Sequence, residues 1–321
     1  MAAVGPGLVK TLIIGAAGMI GRKLAAQLAA EEPILHDVVP FDGASAVSDL
    51  SAPGEAEKLV ASRPQVIFHL AAVVSGEAEA DFEKGYRVNL DGTRRLFEAI
   101  RKENYRPRVV FASSIAVFGA PFPEAIGDEF LNAPLTSYGT QKAIGELLLS
   151  DYSRRGFFDG IGIRLPTICV RPGKPNKAAS GFFSGILREP LNGEEAVLPV
   201  PDTVRHWFAS PRAAIAFLLH ASKINTEQLG ARRNLSMPGI SATVAEQIAA
   251  LRKVAGDKAV QLIRREPDPA IMRIVEGWPR NFDARRALEL GFRADSSFEE
   301  IIRIHVADEL QKSPRPQPGR G

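Results

Sequence analysis

The sequence predicts an α/β protein, with a doubly wound parallel sheet followed by a smaller C-terminal α+β lobe. Short runs that are apolar at almost every position, such as residues 34–41 and 65–72, alternate with segments whose apolar residues recur at helical spacing. A strand that is apolar on both faces is buried on both sides, which is typical of a parallel sheet covered by helices. The alternation of the two kinds of segment therefore predicts the fold class.

The N-terminal half supplies these elements in order. A strand from Val9 to Gly15 leads into a helix from Met19 to Ala30, and further strands are predicted at 34–41, 65–72, 108–114 and 160–170, with helices near 55–62, 80–103 and 138–154. Such an alternation is the pattern of crossover connections between parallel strands. Residues 1–170 are therefore predicted to form the sheet-bearing domain.

Beyond Arg171 the clean alternation is lost. Glycine, proline and asparagine punctuate residues 172–181, and shorter elements follow, so residues 171–311 are predicted to form the smaller lobe. Within this span, residues 200–240 are expected to return partly to the sheet through a late strand at 233–237. Residues 312–321 combine Pro, Gly, Arg and Gln without an apolar anchor and are predicted to form a disordered tail.

Composition excludes several classes of function. Of 321 residues, 45% are hydrophobic, which is ample for a buried core, and 40 basic against 37 acidic residues give a net charge of only +3. We therefore expect no nucleic-acid or membrane partner. The one cysteine, Cys169, cannot form an internal disulfide, and no secretory leader is recognised, so a cytoplasmic location is expected. The five histidines show no metal-ligand spacing.

Three glycines, Gly15, Gly18 and Gly21, come directly after the first predicted strand and open the first predicted helix. Glycine permits a tight turn there, close approach of the backbone to a pyrophosphate and close helix packing, while the helix N-terminus supplies free N–H groups and partial positive charge. A glycine-rich turn without a ligand is the alternative. The position at the start of the alternating pattern favours a dinucleotide site with GxxGxxG spacing.

Two carboxylates after the second strand bear on the choice of cofactor. Asp42 is predicted to lie at the tip of that strand, where a carboxylate accepts hydrogen bonds from an adenosine ribose and repels a 2′-phosphate. Gly43 and Ala44 follow it rather than an arginine, so the sequence favours NAD over NADP, with a simple turn aspartate as the alternative. Asp49 and Leu50, in the loop shortly after, are candidates to lie near the adenine.

Tyr138 and Lys142 are four residues apart in a segment predicted to be helical. On a helix this spacing puts both side chains on one face, one turn apart. An ammonium beside a phenol disfavours its protonated form, whose ordinary pKa of about 10 is too high for a base near neutral pH. The pair is therefore a candidate proton acceptor, although a core tyrosine and a solvated lysine are the commoner occupants of such positions.

These motifs form part of a longer ordered set, namely Gly15 to Gly21, Asp42, His69 to Ala72, Asn89, Ser113 to Gly119, Tyr138 to Lys142 and Arg164 to Thr167. In this order the chain resembles the extended short-chain dehydrogenase/reductase family. The resemblance covers most of the chain. It implies a Rossmann fold, NAD as cofactor and hydride transfer at an alcohol carbon.

The resemblance also implies roles for single residues. Tyr138 is expected to take the alcohol proton, Lys142 to lower the phenol pKa and hold the ribose, and Ser114 to hydrogen-bond the reacting oxygen. Asn89 is expected to support the site from the helix after the third strand. The other residues expected at the cofactor, besides the glycines and the carboxylates, are Met19, Ile20, Leu70, Ala71, Ala72, Ser113, Pro166, Thr167 and Ile168.

The C-terminal lobe departs from the pattern of family members that act on nucleotide sugars. The differences lie at 171–176 and 205–211, and the whole pattern, including residues 73–77, most resembles a subgroup that acts on a free four-carbon sugar acid. Arginine binds a carboxylate in bidentate fashion. Arg171 and Arg205 are therefore hypothesised carboxylate anchors, with a surface or lobe-bridging charge as the alternative. The candidates for binding substrate hydroxyls are Ser75, Ser114, Asn176 and Ser180.

Two other functions stay open. One is a nucleotide-sugar epimerase or dehydratase, which would retain its NAD through a full cycle. The other is a non-catalytic NAD-sensing protein, against which the intact set of Ser114, Tyr138 and Lys142 argues. His206 is predicted to be packed rather than catalytic. The resemblance further implies a homodimer that pairs through helices near 80–101 and 142–154.

Overall fold

The computed structural model describes residues 9–173 and 180–311. The strands are β1 (Thr11–Ile14), β2 (Ile34–Asp37), β3 (Ala46–Val47), β4 (Val66–His69), β5 (Arg108–Ser114), β6 (Asp159–Leu165), β7 (Thr167–Ile168), β8 (Ala196–Leu198), β9 (Arg205–Ala209), β10 (Asn234–Ser236), β11 (Ile240–Thr243) and β12 (Ile263–Arg265). The helices are α1 (Met19–Gln27), α2 (Glu55–Val60), α3 (Ser75–Ala80), α4 (Phe82–Gly85), α5 (Gly92–Glu103), α6 (Ser137–Arg154), α7 (Gly181–Leu191), α8 (Pro211–Lys223), α9 (Val244–Ala255), α10 (Asp257–Val260), α11 (Pro269–Glu276), α12 (Arg285–Glu289) and α13 (Phe298–His305).

The central feature is a seven-stranded sheet in the order β10-β6-β5-β4-β1-β2-β3, in which every strand pair is parallel. The chain runs outward from β1 to β3 and then crosses back to β4, so the strand order reverses between β1 and β4. In such sheets the ligand crevice opens at the carboxyl ends of the strands on either side of this reversal. The predicted doubly wound fold is confirmed.

Helices cover both faces of the sheet because its strands are apolar on both sides. Ile13, Phe68 and Val110 on one face pack in a core with Leu24 of α1 and Phe217 of α8. On the other face the core is formed from α2, α5 and α6 together with β1, β4 and β5, and its largest members are Leu12, Ile14, Ile67, Phe97, Phe111, Leu149 and Phe158. This double layer holds the strand ends rigidly at the crevice.

A third core lies in the C-terminal half and contains side chains of α7, β8, β9, α9 and α13, among them Phe183, Leu198, Phe208, Leu251 and Ile301. Two further sheets belong to this half, one in the order β11-β9-β7 and one formed by β12 and β8. The late strand predicted at 233–237 is confirmed, since β10 pairs in parallel with β6 of the main sheet.

Two predicted strands end earlier than expected. The second stops at Asp37, so the prediction that Asp42 lies at its tip is wrong. The strand predicted at 160–170 breaks at Pro166, which has no N–H for a sheet ladder. Its second part, β7, instead joins β9 in another sheet. The tail predicted for residues 312–321 lies outside the described residues.

The helix predicted at 80–103 is divided into α4, a wide turn at Tyr86–Asp91 and α5. Asp81 caps the first piece, because its side chain accepts a hydrogen bond from the Lys84 N–H. Among residues 9–173 and 180–311, no helix has the length and apolar character needed to cross a membrane. Nor do those residues bring together three His, Cys, Asp or Glu side chains that could hold a metal ion.

Candidate active site

The glycine-rich turn lies at the crevice and is packed as a dinucleotide loop requires. Gly15 has φ +92°, and a Cβ there would meet the Ala71 nitrogen at 2.6 Å, so the turn lies directly against the end of β4. A Cβ at Gly21 would collide with the Gly15 carbonyl oxygen. Gly18 is exposed and a Cβ there would meet only that oxygen, at 3.4 Å. The outer side of the turn is thus open at the N-terminus of α1, where an anion is favoured.

Asp37, rather than Asp42, is the carboxylate beside this turn. Its Oδ2 accepts a hydrogen bond from the Ala17 N–H at 2.9 Å, and its Oδ1 accepts one from the Val38 N–H at 2.8 Å. Asp42 is exposed in the following loop. Asp37 was missed because the β-branched run continues beyond it. The rule that the acidic residue follows the first glycine by about 20 residues would have favoured it.

Asp49 and Leu50 follow in the loop after β3. The Asp49 carboxylate accepts hydrogen bonds from the Ser51 N–H at 2.9 Å and the Ser51 hydroxyl at 2.6 Å, and it pairs with Arg87. Leu50 is buried in the core. Within the described residues, the structure engages Asp49 with protein groups, and a contact with adenine stays a prediction.

Tyr138, Lys142 and Ser114 meet at the carboxyl end of β5. Thr136 caps α6 by accepting a hydrogen bond from the Gly139 N–H at 3.1 Å, which places Tyr138 in the first helical turn. The Lys142 Nζ lies 5.8 Å from the centroid of the Tyr138 ring, so the predicted shared face is confirmed. The Ser114 side chain, at the end of β5, lies near enough to Tyr138 to favour a lower pKa of its phenol.

Burial is the largest influence on the pKa values of Tyr138 and Lys142. Burial raises the pKa of Tyr138, and the influences that oppose it are the Ser114 side chain and the positive charge of Arg171. Burial also lowers the pKa of Lys142 to about 8, against the attraction of the Glu146 charge. Lys142 is not among these influences on the Tyr138 pKa, and its role in lowering the phenol pKa stays a prediction. The Lys142 ammonium donates to the Ala112 carbonyl, at 2.8 Å.

The end of β5 is held by polar side chains that face away from solvent. The Ser113 hydroxyl donates to the Glu146 Oε1 at 2.6 Å, so this residue, predicted at the cofactor, is engaged with α6. Asn89 accepts a hydrogen bond from the Val73 N–H at 2.7 Å and donates to the Gln141 Oε1 at 2.7 Å. It thereby ties the segment after β4 to α6, as a supporting residue would.

Arg171 is anchored through both its backbone and its side chain. Its backbone N–H donates to the Ser184 Oγ at 3.0 Å, its Nε donates to the Ile168 carbonyl at 3.3 Å, and the Arg188 Nη1 donates to its carbonyl at 2.8 Å. The two helix residues, Ser184 and Arg188, could not be found from sequence because they carry no motif. Together they fix the backbone that presents the Arg171 charge to Tyr138.

Arg205 lies elsewhere. Its guanidinium donates to the Ser241 carbonyl at 3.1 Å and pairs with the Glu246 carboxylate at 3.2 Å. It lines an open cleft of about 810 Å³ together with Glu276 and Arg280. The structure therefore does not bring the two predicted carboxylate anchors together, and of the two only the charge of Arg171 acts on the pKa of Tyr138.

The remaining candidates are distributed around the same edge of the sheet. Ser75 begins α3 and is half-buried, and Glu79 of that helix accepts a hydrogen bond from the Ser137 N–H at 2.7 Å, which attaches α3 to the start of α6. Ser180 is half-buried at the start of α7. Asn176 lies outside the described residues. The predicted cofactor-lining positions at the start of α1, after β4, and after β6 and in β7 are Met19, Ile20, Leu70, Ala71, Ala72, Pro166, Thr167 and Ile168.

The family of the chain follows from comparison with known proteins. The model of the NAD dependent epimerase/dehydratase family matches residues 11–229, which include the glycine turn, Asp37 and the Tyr138 group. The chain belongs to this family. The resemblance to extended short-chain dehydrogenases/reductases is thereby confirmed. The glycine turn and the Asp37 carboxylate fit the dinucleotide that the family name implies, since they offer an open helix N-terminus beside an acidic strand end.

Two relatives and one solved structure in this family extend over most of the chain. The chain is 47% identical to D-erythronate dehydrogenase of Cupriavidus necator, over 92% of this chain and 98% of the relative. It is 41% identical to D-erythronate dehydrogenase of Haemophilus influenzae, with the same coverage. A crystal structure described as the nucleoside-diphosphate-sugar epimerase from Agrobacterium tumefaciens is 65% identical, with TM-score 0.91 over 98% of this chain and 99% of that one.

Proposed function

We propose that this protein oxidises a small sugar acid with NAD, and that the substrate is D-erythronate, which becomes 2-dehydro-D-erythronate. The identity to D-erythronate dehydrogenases over nearly the full chain supports this substrate. The observation that carries the proposal is the position of Arg171, held against the Ile168 carbonyl, where its positive charge opposes the burial that raises the pKa of Tyr138. A hydroxy acid oxidised next to its carboxylate needs this combination of a cation and a proton acceptor.

The chemistry assigned to the chain follows from these positions. A bound nicotinamide dinucleotide supplies the hydride acceptor. Tyr138 takes the proton of the C2 hydroxyl, and Ser114 donates a hydrogen bond that orients the reacting oxygen. Arg171 binds the carboxylate and, by its charge, favours the deprotonated phenol that acts as the base. Lys142 holds the end of β5 through Ala112 and presents its ammonium beside the Tyr138 ring.

NAD is proposed as the cofactor in preference to NADP. The Asp37 carboxylate beside the glycine turn supports this choice, because it accepts hydrogen bonds from a ribose and repels a 2′-phosphate. Gly15, Gly18 and Gly21 are proposed to cradle the pyrophosphate at the start of α1. Asp49 and Leu50 remain candidates for the adenine end.

We also propose a homodimer that acts in the cytoplasm on a small molecule in carbohydrate metabolism. Leu147 on α6 and Phe82 on α4 are exposed over 69% and 59% of their surfaces, which suits an apolar contact between two copies. The free, buried thiol of Cys169 suits a reducing compartment. Sedimentation velocity checks the dimer, since a monomer at micromolar concentration would overturn it.

The decisive experiment measures NADH formation with D-erythronate against UDP-glucose, UDP-galactose and dTDP-glucose. We expect NADH only with the sugar acid, and a loss of about 10³-fold in kcat for Tyr138→Phe with NADH binding retained. Tyr105→Phe is the matched control, because this half-buried tyrosine precedes β5, whereas Ser114 ends it, and its ring lies near Arg63. Turnover of a nucleotide sugar alone would refute the sugar-acid proposal.

The second candidate is a nucleotide-sugar epimerase, which the name of the Agrobacterium structure favours. An epimerase shows product in sugar analysis but no net NADH, so the same assay separates the two enzymes. A non-catalytic NAD-sensing protein would bind NAD and turn over none of these substrates, and Tyr138→Phe would leave every measured property unchanged.

A further inference from the structure

A buried histidine and a threonine are paired across the two halves of the molecule, beside the proposed active site. The His206 Nε2 lies 2.7 Å from the Thr167 Oγ1, and the His206 Nδ1 lies 2.8 Å from the Pro279 carbonyl oxygen. The ring stacks on Phe183 at 5.3 Å with an interplanar angle of 4°. The imidazole is thus fixed both in place and in rotation.

These contacts determine which atom carries each proton. A carbonyl oxygen only accepts, so the His206 Nδ1 must carry a hydrogen toward Pro279. Burial lowers the pKa of His206 to about 4, so the ring is neutral near neutral pH and its Nε2 has only a lone pair. Thr167 must therefore donate its single hydroxyl hydrogen to His206. The Thr167 oxygen is left with lone pairs alone and can only accept from a ligand.

The position of Thr167 links it to the reacting groups. It follows β6 and Pro166, and the last residue of β6, Leu165, pairs with Ser114 at the end of β5. On its other side the Ile168 carbonyl accepts from Arg171, the residue whose charge acts on the pKa of Tyr138. Thr167 is half-buried whereas His206 is buried. Thr167 therefore lies in the chain between the strand end beside Ser114 and the turn that carries Arg171, and its side chain is partly exposed.

We propose that His206 is a positioning residue that fixes Thr167 as an obligate hydrogen-bond acceptor, and that Thr167 thereby recognises a substrate hydroxyl other than the one oxidised. This inference rests on the proposed function, whose substrate carries two such hydroxyls. A carboxylate oxygen only accepts, so it is rejected at Thr167 and accepted at Arg171. The two residues would set the direction in which the sugar acid enters.

The assignment of the hydrogen to the His206 Nδ1 is tested without any assay of activity. Nitrogen-15 NMR of histidine-labelled protein distinguishes the two neutral tautomers, and the His206→Asn variant assigns the signal. We expect the neutral Nδ1–H form from pH 5 to pH 8, about one unit and more above the pKa of His206 of about 4. An Nε2–H form, or a charged ring at pH 7, would overturn the proposal.

The recognition is tested with Thr167→Val, which removes the hydroxyl at nearly constant volume. We expect the ratio of kcat/KM for D-erythronate to kcat/KM for 2-hydroxybutanoate of the same C2 configuration, which lacks both distal hydroxyls, to fall about tenfold. Thr167→Ser keeps a hydroxyl and should retain most of the wild-type preference for D-erythronate. Equal losses for both substrates would show a structural role only and would overturn the inference.

The histidine is tested by a matched pair of substitutions. His206→Gln can place an amide oxygen where the Nε2 lies and should retain the preference for D-erythronate over 2-hydroxybutanoate, whereas His206→Asn should lose it in proportion to Thr167→Val. Thermal denaturation identifies any variant that fails to fold, and in that case the tautomer of His206 in the wild-type protein tests the positioning role. If His206→Gln and His206→Asn show the same preference for D-erythronate over 2-hydroxybutanoate, the positioning role is contradicted.

Two further outcomes distinguish this inference from a cofactor-binding role of Thr167 and from failure of the proposed function. If Thr167→Val weakens NADH binding and not the substrate preference, the acceptor serves the nicotinamide amide and the inference is overturned. If the wild-type protein oxidises no sugar acid, the proposed function fails. The valine comparison is then made with whichever hydroxylated substrate a panel of polyols and nucleotide sugars shows to be turned over, against its deoxy analogue, and the NMR result is unaffected.

Discussion

The guanidinium of Arg164 holds both carboxylate oxygens of Glu146, with Nε to Oε1 at 2.9 Å and Nη2 to Oε2 at 2.8 Å. Both side chains are almost completely buried. Glu146 follows Lys142 by one turn of α6 and also accepts from Ser113. The pair therefore fastens the helix that carries Tyr138 to β6, and the Ser113 hydrogen bond fastens the same helix to the end of β5 that carries Ser114.

Replacement of Glu146 by Gln should lower the free energy of unfolding by about 3 kcal/mol, because the buried Arg164 charge loses its bidentate partner. Asp128, at 3.5 Å, is the other carboxylate near Arg164 and compensates only in part. Urea denaturation measures the change. Asp151→Asn is the control, since its pair with Arg154 is largely exposed and is worth less than about 1 kcal/mol. Equal effects of the two substitutions would contradict a structural role for the buried pair.

Asp37→Asn should raise the KM for NAD about tenfold and improve the use of NADP, because the carboxylate that repels a 2′-phosphate is removed. Steady-state kinetics with each cofactor measure the ratio. Asp42→Asn tests the position predicted from sequence and should leave both KM values within about twofold. If Asp42→Asn changed the KM values for the cofactors and Asp37→Asn did not, the ribose contact would be assigned to Asp42.

Arg171→Lys should raise the KM for D-erythronate at least tenfold, because an ammonium cannot reproduce the bidentate contact to a carboxylate. The variant retains a positive charge near Tyr138, so kcat should fall less than KM rises. Arg205→Lys is the matched control and should change KM less than twofold, since Arg205 is paired with Glu246. A larger effect at Arg205 would show that the carboxylate binds in the outer cleft.

Stability should fall as the pH is lowered from about 6.5 toward 5. Burial lowers the pKa of His69 to about 3 and that of His206 to about 4, while an unfolded histidine takes up its proton near 6.5. In this window the unfolded state binds more protons, so each histidine destabilises the fold by up to about 1.4 kcal/mol per pH unit. Urea denaturation at pH 7.5, 6 and 5 measures the slope.

The same series on His69→Gln should show a slope reduced by about one proton, because the glutamine amide keeps the contact to Thr93 and does not titrate. A stability that is constant between pH 7.5 and pH 5 would contradict the assignment of neutral buried histidines. The ordinary carboxylates titrate mainly below this window and add little to the slope.

The sequence by itself determined the elements whose signals are local. The glycine spacing, the apolar strands and the Tyr138–Lys142 turn depend on neighbours within a few residues, because helix and strand periodicity bring those side chains to one face. The strand at 108–114 and the α6 helix accordingly have the predicted bounds to within a residue. The family resemblance followed from the order of these local motifs.

Only the tertiary structure decided which charged and polar groups meet. Asp37 rather than Asp42 lies beside the glycine turn, the charge of Arg171 rather than that of Arg205 acts on the pKa of Tyr138, and His206 is paired with Thr167 from a different part of the chain. The partners in these contacts are separated by many residues and are brought together by the crossing of parallel strands and the docking of the second lobe. Their identity depends on where each strand ends, and a shift of a few residues at a strand end changes the carboxylate that reaches the site.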